Sequence, residues 1–90
     1  MESREDKQKE RKELASEYCI AFGAHLKKLR LKKGYSLRKV SSLADMEYNT
    51  IYLIEYGKTN PTLATIIAIA KALGVTHEEL FDFDFSFTKE

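Results

Sequence analysis

One short stretch of the chain, MEYNTIYLIEYGKTNPTL at residues 46–63, concentrates side chains that form hydrogen bonds without carrying a strong charge. It places three tyrosines, an asparagine and a threonine on a helical segment, and a Gly-Lys-Thr-Asn-Pro turn follows. The sequence contains no comparable set of catalytic side chains. His25, His77 and Cys19 are isolated, and no phosphate-binding loop, carboxylate pair or metal-ligand spacing is present. We therefore expect a binding protein rather than an enzyme, with no cofactor and no evident small-molecule substrate.

The charge is unevenly distributed along the 90 residues. Residues 18–75 carry nine basic and three acidic side chains, whereas residues 76–90 carry one basic and five acidic ones. A basic middle segment favours a polyanionic partner, and a soluble domain with scattered lysines is the alternative. No apolar run approaches the length of a membrane span, the charged N-terminus is not a signal peptide, and the single cysteine suits a reducing cytoplasm. We expect one small cytoplasmic domain without membrane contact.

An apolar stripe at helical spacing predicts the first helix, which Gly34 ends. Gly23 lies inside this helix, so either the ordered helix begins near it or another segment presses close there. Residues 1–17 are a charged arm or an extension of the helix; residues 1–13 have no apolar face and form either a solvated helix or, as we favour, a frayed segment. The stripe consists of Leu14, Tyr18, Phe22, Leu26 and Leu29.

Two short helices separated by a tight turn are predicted next. Ser36 is a suitable N-cap for a helix over residues 37–43, and Asp45 tolerates the left-handed backbone of a sharp turn. A third helix runs over residues 47–56 and ends at Gly57. The side chains expected to face inward are Val40, Leu43, Ala44, Ile51 and Ile54.

Two further helices and one strand complete the prediction. Thr62 caps a fourth helix that Gly74 closes, and a Thr-His-Glu-Glu capping box at residues 76–79 begins a fifth helix ending near Phe81. Phenylalanines then alternate with polar residues, which predicts a strand over residues 82–88. The fourth helix is expected to bury Leu63, Ile66, Ile67, Ala70 and Leu73.

Across residues 21–81 the chain resembles the phage-repressor and Cro-type (XRE) helix-turn-helix family. The similarity lies in FGAHLKKLRLKKGYS at 22–36, IYLIEYGKTNPTL at 51–63 and AIAKALGV at 68–75. It implies an all-α, five-helix, phage-repressor-like DNA-binding domain over residues 18–81, whose third helix lies in the DNA major groove. That groove admits a helix and presents distinguishable base edges.

In the register of this family, Tyr48 and Asn49 stand at the N-terminal end of the third helix, where bases are contacted. Asn49 can pair with adenine, and Tyr48 offers a hydroxyl and a ring for a thymine methyl; ordinary surface residues are the alternative. Leu53 shares the exposed face and either touches a methyl group or packs. Glu47 either accepts a hydrogen bond from cytosine or, as we favour, caps the helix and lowers non-specific affinity.

The resemblance also implies phosphate contacts, which orient the protein without specifying sequence. They are expected at helix N-termini and in the loop over residues 57–60. The residues concerned are Ser36, Arg38, Lys39, Thr50, Tyr56, Lys58 and Asn60. Four lysines of the first helix either add a diffuse positive field or, as we favour, form a solvated face: Lys27, Lys28, Lys32 and Lys33. Leu37, Asp45 and Glu47 depart from the residues usual in relatives and predict weaker or more demanding binding.

Arg30 and Glu55 resemble an ion pair that ties the first helix to the third in this family; two independent surface charges are the alternative. A homodimer on a palindrome with half-sites roughly 34 Å apart is also implied. In the aromatic and acidic tail over residues 82–90, we expect a strand over residues 82–88 to pair with its two-fold mate and bury Phe83, Phe85 and Phe87; a disordered tail is the alternative. The predicted function is a homodimeric, sequence-specific DNA-binding transcription regulator. The alternative is an antitoxin-like or adaptor module that binds a partner protein through the arm or the tail.

Overall fold

The computed structural model describes residues 3–87, and this part of the chain contains five α-helices and no strand. None of these helices is both long enough and apolar enough to cross a membrane. The prediction of an all-α, five-helix domain is therefore confirmed. The helices are α1 (Arg4–Lys32), α2 (Leu37–Ala44), α3 (Tyr48–Glu55), α4 (Leu63–Leu73) and α5 (His77–Leu80).

The first helix is continuous over 29 residues and begins at a reciprocal N-terminal cap. The Ser3 hydroxyl accepts a hydrogen bond from the Asp6 N–H at 3.1 Å, and the Asp6 carboxylate accepts one from the Ser3 N–H at 3.4 Å. Glu5 and Asp6 also place negative charge in the first turn, where the helix dipole favours it. Of the two alternatives for residues 1–13, the described part adopts the helix, and the favoured frayed segment was wrong.

Gly23 marks the place where α1 crosses the end of α3. A Cβ atom on Gly23 would overlap the carbonyl oxygen of Ile54 and lie 2.7 Å from that of Glu55. The glycine is therefore not the start of the helix. It is there because another segment presses close, which was the second alternative from the sequence.

The helix pair α2 and α3 follows the predicted local signals closely. The Ser36 hydroxyl accepts a hydrogen bond from the Lys39 N–H at 3.0 Å and caps α2. Asp45 adopts the left-handed conformation, with φ at +53°, and turns the chain into α3. The inward placement of Leu43 was wrong, since its side chain is exposed. The buried face of α2 is centred on Val40 and Ser41, which leaves Leu43 outside that arc.

The fourth helix has the predicted caps but a different buried face. The Thr62 hydroxyl accepts a hydrogen bond from the Thr65 N–H at 3.2 Å, and Gly74 ends the helix at φ +68°. Leu63 and Ile67, expected inside, are 72% and 64% exposed. The apolar period was right, but the helix is apolar nearly all round, so the pattern could not determine which side meets the core. The helix buries Leu73, as predicted, and Ile69, which was not among the expected residues.

All five helices contribute to one hydrophobic core. Fully burying an aliphatic or aromatic side chain of this size stabilises the fold by about 1.5–3 kcal/mol. The core packs against the inner faces of α2 and α3 and leaves their N-terminal turns at the surface. The core residues are Phe22, Leu26, Val40, Ile51, Ile54, Ile69, Leu73 and Leu80.

The predicted C-terminal strand was wrong for residues 82–87, which have no strand conformation; residue 88 lies outside the described residues. The rings of Phe83, Phe85 and Phe87 instead surround Tyr18 of α1, with centroids 5.3, 4.8 and 5.8 Å away. Contacts between aromatic rings are stabilising. The long α1 provides the packing surface within the same chain, whereas a strand would have needed a second chain to pair with. Dimer pairing through this segment is therefore not supported.

The fifth helix has the predicted capping box. The Glu79 carboxylate accepts a hydrogen bond from the Thr76 N–H at 3.1 Å, and the Thr76 hydroxyl accepts one from the Glu79 N–H at 3.1 Å. The bond from the Thr76 backbone is the main cause that lowers the pKa of the Glu79 carboxyl below its ordinary range. His25 of α1 lies on this helix, with Nε2 2.7 Å from the Glu79 carbonyl oxygen.

Candidate nucleic-acid interface

The structure brings Arg30 and Glu55 together inside the domain. The Arg30 Nε lies 2.7 Å from Glu55 Oε2, and the two side chains are only 8% and 1% exposed. Another nitrogen of the same guanidinium, Nη1, donates a hydrogen bond to the Tyr35 carbonyl oxygen at 2.7 Å. The pair joins α1 to the end of α3 and holds the entry to α2, so it orients both helices of the helix-turn-helix motif.

The first turn of α3 is exposed at the surface. Tyr48 is 49% exposed, and Asn49 and Glu47 are exposed as well. Leu53 is half-buried, so only part of its side chain is available. Glu47 occupies the N-cap position of α3, as we favoured from the sequence, but its carboxylate makes no cap hydrogen bond to this helix.

The N-terminal end of α2 lies beside this turn. The exposed Arg38 guanidinium lies over the ring of Tyr48, with Cζ 5.9 Å from the ring centroid. A cation in that position is attracted by the face of the ring. Ser36 and Lys39 are exposed on the same helix end. The sequence placed Arg38 and Tyr48 in separate roles and gave no signal that they touch.

The turn after α3 brings a third exposed segment to this surface. The Lys58 N–H bonds the Leu53 carbonyl oxygen at 2.9 Å, which stabilises the turn, and the side chains of Lys58 and Asn60 are exposed. Gly57 has φ +66°, and a Cβ there would lie 2.6 Å from the Ile20 Cα. The turn is therefore packed directly against α1.

Tyr56 and Lys27 form a contact that sequence analysis missed. The Lys27 ammonium lies 3.4 Å from the Tyr56 hydroxyl and 5.1 Å from its ring centroid. Tyr56 is itself about half exposed, and its ring packs on Tyr52 with centroids 4.7 Å apart. Lys27 was assigned to a solvated face; the structure places it next to a residue expected to contact phosphate. The sequence signal that could have indicated the contact is that Lys27 follows Gly23 by four residues. It therefore lies on the same face of α1 as the glycine at which another segment packs closely.

Most residues expected to contact phosphate are available for it. Thr50 differs, because its side chain is half-buried and its N–H bonds the Glu47 carbonyl oxygen at 3.1 Å. A surface with exposed amide, hydroxyl, guanidinium and ammonium groups can bind an anionic backbone and hydrogen-bond base edges. The exposed members are Ser36, Arg38, Lys39, Tyr56, Lys58 and Asn60.

Comparison with known proteins identifies the family to which this arrangement of helices belongs. The sequence model of the helix-turn-helix family, HTH_3, matches residues 26–80. The chain belongs to the helix-turn-helix family. Within this family it is of the phage-repressor (XRE) type, as the resemblance of residues 21–81 predicted, a type of DNA-binding transcription regulator.

Two curated relatives and one solved structure of this family are similar to the chain. The control protein C.BamHI of Bacillus amyloliquefaciens is 37% identical over 65 residues, which are 71% of this chain and 80% of that protein. The HTH-type transcriptional regulator y4dJ of Sinorhizobium fredii is 34% identical over 58 residues, 64% of this chain and 75% of that protein. The crystal structure of the restriction-modification controller protein C.AhdI of Aeromonas hydrophila superposes with a TM-score of 0.67 at 32% identity, covering 70% of this chain and 96% of that one.

The family match leaves two segments of this chain outside it. Residues 4–25 of α1 precede the matched range, and residues 81–87 follow it. These are the segments that pack on each other through Tyr18 and the phenylalanine rings. The shared part contains the motif of α2 and α3, the ion pair and the turn after α3.

Proposed function

We propose that this family member is a transcription regulator that binds double-stranded DNA with α3 in the major groove. The observation that carries the proposal is the exposed first turn of α3, where Tyr48 and Asn49 lie next to the basic end of α2. The buried core packs behind α3, and the buried ion pair holds the C-terminal end of this helix. A rigid helix that presents hydrogen-bonding side chains in this way fits the groove.

In this proposal Asn49 and Tyr48 determine sequence preference. The Asn49 amide donates to and accepts from adenine, and Tyr48 contacts a neighbouring base with its hydroxyl or a thymine methyl with its ring. Arg38 lies over the Tyr48 ring and limits its movement. Glu47 is free of a capping bond to α3, so it can accept a hydrogen bond from cytosine N4 and repel the backbone where that base is absent.

Phosphate groups are held on either side of these bases. Ser36 and Lys39 present a helix N-terminus and an ammonium group on one side. Lys58 and Asn60 present the turn after α3 on the other. Contacts of this kind orient the domain on the duplex and give the binding its dependence on salt.

The active form in our proposal is a homodimer that joins through α4 and α5. Leu63 and Ile67 are exposed there and line an apolar groove together with Phe81. A groove of this kind is shielded from water when a second copy covers it. A two-fold dimer would present two copies of α3 to half-sites about one helical turn apart, which is a palindromic operator.

Selection of bound sequences from a random duplex pool tests the function. We expect a palindromic motif whose half-sites are about 10 base pairs apart. The affinity for the selected duplex should fall by roughly 10³–10⁵ between 50 and 200 mM salt, if a dimer makes about 6–10 phosphate contacts. A pool that yields no enriched sequence, with no salt-dependent binding, would contradict the proposal and favour the adaptor alternative.

A further inference from the structure

We propose that the N-terminal extension of α1 adds a phosphate-binding site to the DNA interface. The site is the cleft between this extension and the turn after α3, lined by Lys12, Ser16, Lys58, Thr59 and Asn60 among others. Its ligand is a phosphate of the DNA backbone beyond the half-site that α3 contacts. The inference rests on the proposed function and extends it to residues outside the family match.

The two walls of the cleft have complementary chemistry for a phosphate. Lys12 on one wall and Lys58 on the other are exposed ammonium groups. Ser16 and Thr59 supply hydroxyl groups, and Asn60 supplies an amide. Phosphate oxygens accept hydrogen bonds from all of these groups, and two ammonium groups offset the charge of the anion.

The cleft has a fixed shape because its floor is a direct backbone contact. Gly57 has no room for a Cβ, since that atom would lie 2.6 Å from the Ile20 Cα. One turn further along α1, Gly23 lies against the carbonyl groups of Ile54 and Glu55. The turn therefore packs directly on α1, which places the backbone that carries Lys12 beside the backbone that carries Lys58.

The helical register aligns this wall with the rest of the interface. Lys12, Ser16, Cys19 and Gly23 follow at spacings of four, three and four residues, so they share one face of α1. Lys27 follows Gly23 by four residues on the same face and contacts Tyr56. Lys12 and Lys27 are thus about 22 Å apart along α1, with the turn between them.

The acidic residues of the extension do not line the cleft. Glu13 and Glu17 follow Lys12 and Ser16 by one residue, which places them about 100° further round the helix. The charged side chains among the lining residues are Lys12 and Lys58, so the cleft is basic. This arrangement explains how an extension of nearly balanced charge can still contribute a local phosphate contact.

The aromatic tail supports the opposite side of the extension. Tyr18 lies two residues after Ser16, about 200° round the helix, and its ring packs on Phe83, Phe85 and Phe87. The extension is thereby held between the tail and the turn after α3. A side chain presented from such a supported helix binds with less loss of conformational freedom than one on a free arm.

The test compares Lys12→Gln with Lys7→Gln on the duplex selected from the random pool. Lys7 is an exposed lysine five residues earlier, about 140° round the helix and outside the cleft lining, so both variants lose one charge from the same extension. For Lys12→Gln we expect the slope of log affinity against log salt to decrease by about 0.9 for each protomer. The selected motif should not change.

Phosphate ethylation interference locates the contact. The wild-type protein and Lys7→Gln should both lose binding when phosphates flanking each half-site are ethylated, and Lys12→Gln should be insensitive at one of those positions. A duplex cut back to the half-site edge should abolish the difference between wild type and Lys12→Gln. Equal salt slopes and equal interference patterns for the three proteins would overturn the site, although the wild type would still bind. Absence of binding by the wild type would overturn the proposed function itself.

Discussion

Arg30 donates two hydrogen bonds to the carboxylate of Glu55, from Nε to Oε2 at 2.7 Å and from Nη2 to Oε1 at 3.1 Å. This bidentate pair is buried, and the remaining Nη1 donor is used by the Tyr35 carbonyl oxygen. Because α2 begins and α3 ends near this pair, its integrity determines how the two helices of the helix-turn-helix motif are presented. The pair orients the interface from inside and does not form part of its surface.

Substitution of Arg30 by alanine should destabilise the domain strongly. The change leaves the Glu55 carboxylate buried without its partner, which costs about 3–5 kcal/mol in the free energy of unfolding. The double variant Arg30→Met, Glu55→Leu removes both charges and should recover much of that loss. Urea denaturation measures both. An Arg30→Ala protein with unchanged stability would show that the pair is not formed in solution.

Substitution of Gly23 by alanine should also be destabilising, although alanine is the better helix former. A Cβ would overlap the Ile54 carbonyl oxygen and push α1 away from α3. We expect a loss of about 1–3 kcal/mol in the free energy of unfolding, as for other overpacked sites. The control is Ala24→Gly, one residue later at an exposed position, with an expected cost near 1 kcal/mol from helix propensity alone. A gain in thermal stability for Gly23→Ala would refute the close packing.

Substitution of Asn49 by alanine should relax sequence preference at one base pair of each half-site. The loss of a bidentate contact removes about 1–3 kcal/mol of discrimination against the wrong base. Lys39→Ala should instead weaken binding to all duplexes by a similar factor, because a phosphate contact carries no sequence information. Affinities for single-base variants of the selected operator distinguish these outcomes. Unchanged preference in Asn49→Ala would assign base recognition to other residues.

Substitution of Ile67 by glutamate should dissociate the proposed dimer. The charge would have to be buried in the α4–α5 groove when a second copy covers it, which disfavours association. Leu43→Glu places the same charge on an exposed leucine of α2, away from that groove, and should leave the dimer intact. Sedimentation at micromolar concentration measures both. If Ile67→Glu sediments as the wild type does, the contact between protomers lies elsewhere.

The contact between α1 and the aromatic tail should loosen in alkali. Burial raises the pKa of the Tyr18 hydroxyl above its ordinary value of 10.0. The folded state therefore favours the neutral phenol, and the stabilisation is present below pH 10 and is lost as the pH rises through the folded-state pKa. Tyr18→Phe cannot ionise and should show a smaller fall in stability above pH 10. Equal pH profiles for the two proteins, measured by denaturation between pH 8 and 11, would argue against the packed tail.

Local features were predictable because neighbouring residues determine them. Ser36 and Thr62 can satisfy the free N–H groups of a helix start, so their positions indicated where α2 and α4 begin. Asp45 tolerates a positive φ, and the turn between α2 and α3 depends on that tolerance. The family resemblance of residues 21–81 followed from the same local patterns, and the match to residues 26–80 confirmed it.

Contacts between distant residues were not predictable in the same way. Alternation of apolar side chains in the tail indicates a strand when a partner strand exists, but the long α1 offered aromatic packing within the same chain. Because α4 is apolar nearly all round, its sequence pattern is compatible with burial of more than one face. Only the packing of the other helices against α4 determined that Ile67 is exposed.

By itself, then, the sequence determined α2 to α5, the caps at Ser36, Thr62 and Thr76, the turn at Asp45 and the family, because each depends on short-range backbone preferences and spacing. Only the tertiary structure decided that Gly23 is a crossing point, that Tyr18 receives the tail and that Lys12 faces Lys58 across a cleft. The physical reason is that burial and proximity depend on which surfaces meet after the chain folds, and residues far apart in sequence carry no local signal of that meeting.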